Sequence, residues 1–253
     1  MKKLKNIGNK VAPIVFVLIL LVIWETVVTL GGIEKYIMPA PSDVIKVLIK
    51  DFNVMIPHIF ITLYEGVLGF IISIIAALIL AIVMDMVPLV KKAIYPVLVI
   101  SQTIPIVALA PLFIIWFGFG ILPKVIVVVL VCFFPIVISI VDGLDSVDKD
   151  LINHFKLMGA SKIGRFIHLK LPYGMINFFS GMKIAVTYSI MGAVIGEWLG
   201  GDKGLGVYMT RARSAYALDK MFAAIVVIVI ISMALFLIVS LLEKVCMPWN
   251  NKK

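Results

Sequence analysis

The sequence has few charged residues and almost no cysteine or histidine. Asp, Glu, Lys and Arg make up 15% of its 253 residues, whereas soluble domains carry about 25%. Its two cysteines and three histidines have no partner at metal-ligand spacing, so we expect no metal site in this chain. It also lacks a phosphate-binding loop and a paired nucleophile and base. We therefore expect a protein that is not an enzyme and that binds no cofactor itself.

Apolar residues dominate the composition of this chain. Hydrophobic residues make up 62% of the chain, and its mean hydropathy of +1.16 indicates a membrane protein. A transmembrane helix needs about 20 apolar residues. Six runs reach that length, at residues 11–30, 66–87, 93–117, 121–141, 175–199 and 221–242. No stretch between them is long enough for a soluble domain, so we predict one all-helical membrane domain with six spans over residues 1–253.

Lysine and arginine are distributed unevenly between the two sides of this topology. One side carries 14 of them and the other carries 8, a count that includes Lys124 at the start of the fourth run. Lys183 lies within the fifth span. Basic residues accumulate on the cytoplasmic side of membrane proteins, so we expect both termini to be cytoplasmic. Basic loops that face anionic lipid also explain the net charge of +9 without nucleic acid.

A polar, basic segment at residues 143–173 (the basic segment) separates the fourth and fifth spans. Asp145-Ser146 offers an N-cap for a short helix, and Gly159 is placed to end that helix in the left-handed conformation. We predict a second short helix that begins at Ser161 and stops at Pro172. Its apolar face would consist of Ile163, Phe166, Ile167 and Leu171. Two short helices that meet at a glycine form a compact surface for a soluble partner.

The basic segment resembles the cytoplasmic loop of binding-protein-dependent ABC transporter permeases. That loop has a Glu-Ala-Ala triplet, a glycine four residues after the last alanine, and an aliphatic-x-Leu-Pro ending. Gly159 and Leu169-Lys170-Leu171-Pro172 match the glycine and the ending, whereas Asn153-His154-Phe155 replaces the triplet and lacks its acid. The alternative is an ordinary basic cytoplasmic loop. The resemblance assigns ATPase coupling to Asn153, Gly159, Ala160, Ser161, Ile163, Phe166, Leu171 and Pro172.

Further strings resemble the nitrate, sulfonate and taurine branch of that family. They are Pro39-Ala40-Pro41-Ser42, Thr103-Ile104-Pro105, Trp116-Phe117-Gly118-Phe119-Gly120 and Phe133-Phe134-Pro135-Ile136. Near the fifth span, Gly196-Glu197-Trp198-Leu199-Gly200-Gly201 and Gly204-Leu205-Gly206-Val207-Tyr208-Met209 look more like permeases for thiamine-precursor pyrimidines. The resemblance therefore implies uptake of such a pyrimidine, with aliphatic sulfonate, taurine or nitrate as the alternative.

The same resemblance implies a fold, a location and partners. The fold would be that of a type I ABC importer permease in the cell membrane. Two copies would form the pathway, most simply as a homodimer. The partners would be cytoplasmic ABC ATPase subunits, which bind ATP and Mg, and an extracytoplasmic solute-binding protein.

Uncharged polar residues within the spans are candidates for the substrate pathway. Pro105 and Pro111 each remove a backbone donor from the third span, which leaves carbonyls free near Gln102 and Thr103. Unwound backbone at membrane depth is tolerated where it lines a cavity. The alternative is that these side chains only hydrogen-bond between helices. The fifth span adds the candidates Thr187, Tyr188 and Ser189.

Charged residues within spans need an explanation because burying them is costly. Glu197, beside Trp198, is predicted either to act at an external gate or to lie in the lipid headgroup region. Glu25 has the same two alternatives, and Lys183 is expected to reach the interface with its long side chain. A secondary transporter would need a buried acidic relay, and an intramembrane enzyme a nucleophile with its base. The sequence shows no sign of either.

Overall fold

The computed structural model describes the backbone of residues 2–248 and the side chains of residues 11–248. The basic residues counted at positions 2–10, 252 and 253 therefore lie outside the described side chains. Within the described range the secondary structure is helical, without strands. The helices are α1 Lys2–Leu30, α2 Pro41–Lys50, α3 Phe52–Met86, α4 Pro88–Ser101, α5 Ile106–Phe117, α6 Ile121–Asp145, α7 Lys149–Leu157, α8 Lys162–Arg165, α9 Leu171–Gly200, α10 Leu205–Ser214 and α11 Leu218–Cys246; a π turn, Phe166–Lys170, joins α8 to α9.

The structure has six candidate membrane spans, which is the number that the apolar runs predicted. Five helical stretches are long and apolar enough to cross a membrane: residues 11–30, α3, α6, the continuous stretch from α8 to α9, and α11. The pair formed by α4 and α5 passes the same test together, with a bend of 101° at the break between them. The third span is therefore a broken helix, where the sequence predicted one loosened helix.

Pro105 causes this break, whereas Pro111 does not. Pro105 has no N–H to continue the helix from α4, and its extended backbone (ψ 113°) precedes the first residue of α5. The Thr103 hydroxyl turns back to donate to the Ile100 carbonyl at 2.7 Å. Pro111 lies inside α5, which continues to Phe117. The prediction that both prolines open the span is thus correct for Pro105 alone.

Two charged residues that the sequence analysis counted outside the spans lie within helices, and the fold buries both. α3 begins at Phe52, so Glu65, which apolar counting left outside the second span, lies within the helix. Lys124 was counted as a loop residue, yet it lies in α6 and is 6% exposed. Their side chains form an ion pair with each other, at 2.8 Å. Counting apolar residues cannot detect charges that neutralise each other inside a bundle.

Close helix packing holds the centre of the bundle together. α6 packs along α9, and α3 crosses against both. Gly69 of α3 makes this approach possible, since a Cβ there would lie 2.5 Å from Cγ1 of Val128. Gly181 of α9 does the same against α6, where a Cβ would meet the Pro135 carbonyl oxygen at 2.9 Å. Small residues that let backbones approach are the usual means of packing helices in membranes.

α1 is held mainly at one end. Only 6% of its spanning window is buried within this chain. The Glu25 carboxylate accepts hydrogen bonds from the Ser42 amide at 2.9 Å and the Ser42 hydroxyl at 2.8 Å, and so caps the start of α2. Asp43 of α2 accepts a hydrogen bond from the ammonium of Lys35, in the turn between α1 and α2, and this cation holds the pKa of the Asp43 carboxyl below its usual range. Glu25 is therefore a capping residue.

Candidate functional site

The basic segment forms two short helices that meet at a left-handed glycine, as predicted. Gly159 has φ +80° and follows the last turn of α7, whose Phe155 carbonyl accepts from the Ala160 amide at 3.0 Å. Asp148 caps α7, since its carboxylate accepts from the Asp150 amide at 2.8 Å. The predicted cap at Asp145-Ser146 is wrong, because α6 extends through Asp145.

The second short helix differs from the prediction at its end. Ser161 caps α8 as expected, with its hydroxyl accepting from the Gly164 amide at 3.0 Å. Pro172 does not stop the helix, because it lies directly after the π turn at Phe166–Lys170 and the chain stays helical from Lys162 to Gly200. Phe166 is buried against the bundle, whereas Ile163 is 63% exposed. The segment thus joins the fifth span without a break.

An exposed apolar tip lies at the turn between α7 and α8. Leu157 is 87% exposed and Met158 is 74% exposed, next to the exposed Ile163. Asn153 and Ser161 are exposed beside them, whereas Ala160 is half-buried. The sequence analysis missed Leu157 and Met158. Their position directly before the helix-ending glycine is the feature that would have identified them.

Ion pairs connect the basic segment to the turn between α3 and α4. Lys170 binds Asp85 at the end of α3, with 2.6 Å between Nζ and Oδ1. The Lys162 ammonium donates to the Met86 carbonyl, and Lys91 of α4 pairs with Asp145. Partly exposed ion pairs of this kind contribute about 0–1 kcal/mol each. These ion pairs therefore add little to the stability of the protein. Their main effect is to fix the direction in which the basic segment leaves the helix bundle.

A groove opens where α4 breaks from α5. It has a volume of about 330 Å³ and is bordered by the break, by α6 and by α9. Gln102 and Tyr188, two of the predicted pathway residues, line it together with Ser101. Most of the remaining lining is apolar, from side chains such as Phe134 and Met191. The groove therefore combines aromatic and apolar surface with a few uncharged hydrogen-bonding groups.

The other predicted pathway residues lie outside this groove. Thr103 is exposed beside it, and Thr187 is half-buried with its hydroxyl donating to the Ile184 carbonyl at 2.7 Å. Ser189 is fully buried and donates to the Val186 carbonyl at 2.8 Å. Glu197 is 1% exposed. Ser189 and Glu197 are thus part of the helix packing in this chain.

Glu197 belongs to a buried polar cluster near the end of α9. The cluster consists of His58, Thr62, Glu65, Lys124 and Glu197. Glu197 accepts from the Thr62 hydroxyl at 2.6 Å and from the Gly206 amide at 2.6 Å. The fold thus buries two acidic side chains, Glu65 and Glu197, that the sequence analysis did not bring together. Thr62 and Glu65 are one turn apart on α3, which is the sequence pattern that places them on one face.

Three side chains of this cluster cap the N-terminus of α10. The Gly204 amide donates to Nδ1 of His58 at 3.0 Å, and the Leu205 amide donates to the Thr62 hydroxyl at 2.8 Å. The Gly206 amide donates to Glu197. The first amides of a helix have no partner within that helix and must find one elsewhere when they are buried. Side chains of α3 and α9 thus hold α10 against the bundle by accepting hydrogen bonds from the backbone amides at its N-terminus.

The far side of α10 is held by Asp51, at the junction of α2 and α3. Asp51 Oδ2 pairs with the Lys220 ammonium of α11 at 2.7 Å and lies 3.5 Å from the Tyr208 hydroxyl of α10. Burial, together with this carboxylate, raises the pKa of Tyr208 to about 12. Tyr208 therefore remains a neutral hydrogen-bond donor at physiological pH.

Lys183 of α9 forms an ion pair with another span. Its ammonium pairs with Glu243 of α11, and both side chains are largely buried. The pair ties α9 to α11. The sequence analysis did not identify this carboxylate as a partner, and the expectation that Lys183 reaches the interface stays a prediction.

Comparison with known proteins gives matches over nearly the whole chain. Residues 69–248 match the family described as binding-protein-dependent transport system inner membrane component. The chain is 35% identical to the formylaminopyrimidine transport permease protein ThiX of Halalkalibacterium halodurans, over 99% of this chain and 100% of that protein. It is 32% identical to the riboflavin transport system permease protein RibX of Chloroflexus aurantiacus, over 93% and 89%. It is 27% identical to the taurine transport system permease protein TauC of Escherichia coli, over 92% and 88%.

These matches confirm the fold and the branch that the resemblance implied. The architecture is the all-helical, six-span fold of a type I ABC importer permease in the inner membrane. The relatives are transport components, which confirms that the chain is not an enzyme. Permeases of this kind work with ATPase and solute-binding partners. The chain belongs to the family of binding-protein-dependent transport system inner membrane components, the permease subunits of ABC importers.

Proposed function

We propose that this permease imports a thiamine-precursor pyrimidine. The observation that carries the proposal is the 35% identity to a formylaminopyrimidine permease over its entire length. The groove supports it, because its aromatic, apolar and amide groups suit a flat, neutral heterocycle. Among the described residues that line the groove there is no Lys or Arg, which an anionic sulfonate or nitrate would favour. Aliphatic sulfonates remain the second candidate, since the taurine permease is also similar.

The groove is the proposed pathway, and a second copy of the chain completes it. Gln102 and Val107, which line the groove, are exposed in this chain. Ile115 of α5 is 75% exposed and Trp116 is 64% exposed. A homodimer that covers this face would enclose the groove between two copies. Gln102 and Tyr188 would then contact substrate from each half, with Thr103 beside them, whereas Thr187, Ser189 and Glu197 would act through helix packing.

The basic segment is the proposed docking site for the ATPase. Its exposed apolar tip at Leu157 and Met158 would fit a hydrophobic recess on the partner, with Asn153 at the position where the family has its acid. ATP and Mg would bind to the ATPase subunits. When these subunits close, they would move the segment and, through Lys170 and Asp85, the ends of α3 and α4. The pathway would then open toward the solute-binding protein.

Single-cysteine labelling tests the proposed orientation, with both termini in the cytoplasm. In a version of the chain without Cys132 and Cys246, cysteines are placed at the exposed positions Ser146 and Ser214. An impermeant maleimide should label the cysteine at 214 in intact cells, and the cysteine at 146 only after permeabilisation. Labelling of both positions in intact cells would contradict the topology and the ATPase docking site with it.

Ligand binding by the associated solute-binding protein tests the substrate. We expect micromolar or tighter affinity for formylaminopyrimidine or a hydroxymethylpyrimidine, and uptake of the labelled pyrimidine that depends on this chain. Taurine and alkanesulfonates are the matched comparison. Binding of those sulfonates without binding of pyrimidines would overturn the substrate and leave the permease assignment intact.

A further inference from the structure

Glu65 has a fully buried oxygen without a hydrogen-bond partner. Oε1 of this residue accepts from the Lys124 ammonium at 2.8 Å. Oε2 has no donor among the described residues, although the side chain is 0% exposed. A buried carboxylate oxygen without a donor destabilises the fold, because the charge has lost its hydration without forming a hydrogen bond within the protein. The structure therefore points to a hydrogen at this atom.

The Glu197 carboxyl is the acidic neighbour of Glu65 in the buried cluster. Thr62 lies one turn before Glu65 on α3, and its hydroxyl contacts Glu197 Oε1 at 2.6 Å. The Glu197 carboxyl lies within hydrogen-bonding reach of the Glu65 carboxyl. Both Glu197 oxygens already accept bonds, from Thr62 and from the Gly206 amide. Glu197 thus acts as the acceptor in the cluster, and Glu65 is the group with an unused position.

The charges around the pair do not balance when both acids are ionised. Lys124 of α6 supplies one positive charge against two carboxylates, and all three side chains are almost completely buried. Two carboxylates in contact at a dry site cannot both remain ionised without a second cation. The other titratable groups that face the cluster are His58 of α3, which accepts from the Gly204 amide, Lys203 of the loop before α10, and Arg211 of α10, whose guanidinium donates to the Asp202 carbonyl. None of them pairs with Glu65.

We propose that Glu65 and Glu197 together bind one proton, as an O–H of Glu65 that donates to the Glu197 carboxylate. The cluster then has one ammonium, one carboxylate and one neutral acid, and it carries no net charge. The proton belongs to the pair as a unit. It also supports the docking of α10, because Glu197 holds the Gly206 amide in place. Loss of the proton would place a second negative charge beside the carboxylate that caps α10.

Infrared difference spectroscopy of the full-length chain in lipid nanodiscs tests for this proton. At neutral pH the wild type should show the carbonyl stretching band of a protonated carboxylic acid. The band should shift in D₂O and be absent from Glu65→Gln. That variant mimics the proton-bound pair, because its amide oxygen can accept from Lys124 and its N–H can donate to Glu197. We therefore expect it to fold.

Glu243→Gln is the matched control, since Glu243 also pairs with a lysine, Lys183, within the bundle. This substitution should remove a carboxylate band and leave the acid band unchanged. A wild-type spectrum with carboxylate bands alone would overturn the proposal. An acid band that persists in Glu65→Gln would overturn it equally, because the proton would then lie elsewhere.

The pH dependence of thermal unfolding provides a second measurement. The folded pair keeps a proton that a solvated glutamate in the unfolded chain releases at lower pH. The unfolded state then binds fewer protons, so stability falls as the pH rises until the pair loses its proton. Wild type should show this fall relative to Glu65→Gln, and the fall should end in the pH range in which its acid band disappears. Parallel stability curves for the two proteins would contradict the proposal.

Discussion

Gly204→Ala should strongly destabilise the permease and abolish transport. A Cβ at this position would lie 2.1 Å from Cδ and 2.2 Å from Oε1 of Glu197. The carboxylate would have to leave its place, and it would lose its bonds to Thr62 and to the Gly206 amide. Hydrogen bonds to a charged group contribute about 1.5–3 kcal/mol each. The backbone, at φ +128°, adds strain for any residue with a side chain.

We expect the loss in the free energy of unfolding to be on the order of 3 kcal/mol or more, from the two hydrogen bonds alone. Thermal unfolding in detergent and membrane abundance measure it. Gly32→Ala is the matched control, because Gly32 also has a positive φ, of +60°, but a Cβ there would meet nothing within 4 Å. That change should cost only about 1–2 kcal/mol. Equal effects of the two substitutions would show that Glu197 does not hold α10.

Gly159→Val should abolish transport and leave the membrane bundle intact. Gly159 has φ +80°, a conformation that a β-branched residue avoids at a cost of about 1–3 kcal/mol. The space around it is open, so the effect comes from backbone strain and not from a clash. The turn that presents Leu157 and Met158 would change its direction. Transport and co-purification of the ATPase should both fall strongly while the amount of permease in the membrane stays constant.

Gly159→Asn is the matched control for this prediction. Asparagine tolerates the left-handed region better than valine, so this variant should keep most of its ATPase association and transport. Normal transport by Gly159→Val would refute the role of the segment in coupling. A fall in membrane abundance, equal to the fall in transport, would instead indicate a folding defect.

The sequence by itself was sufficient to predict the membrane class, the number of spans and the glycine turn. Each of these depends on information within one short stretch. An apolar run of about 20 residues crosses a bilayer whatever the rest of the chain does. A glycine between two short amphipathic stretches ends a helix through its own backbone freedom, as Gly159 does. The short sequences that resemble the permease family predicted the fold, because they occur along this chain in the same order as in the family.

Only the tertiary structure determined where the buried charges and the groove lie. Lys124 meets Glu65 across 59 residues, and His58 meets the Gly204 amide across 146. No local pattern encodes such pairs, so the charge count placed Lys124 among the loop residues and apolar counting began the second span just after Glu65. The bend of 101° at Pro105 likewise depends on what α5 packs against, since Pro111 sits in a continuous helix. Proline weakens a helix locally, but the surrounding helices decide whether it breaks.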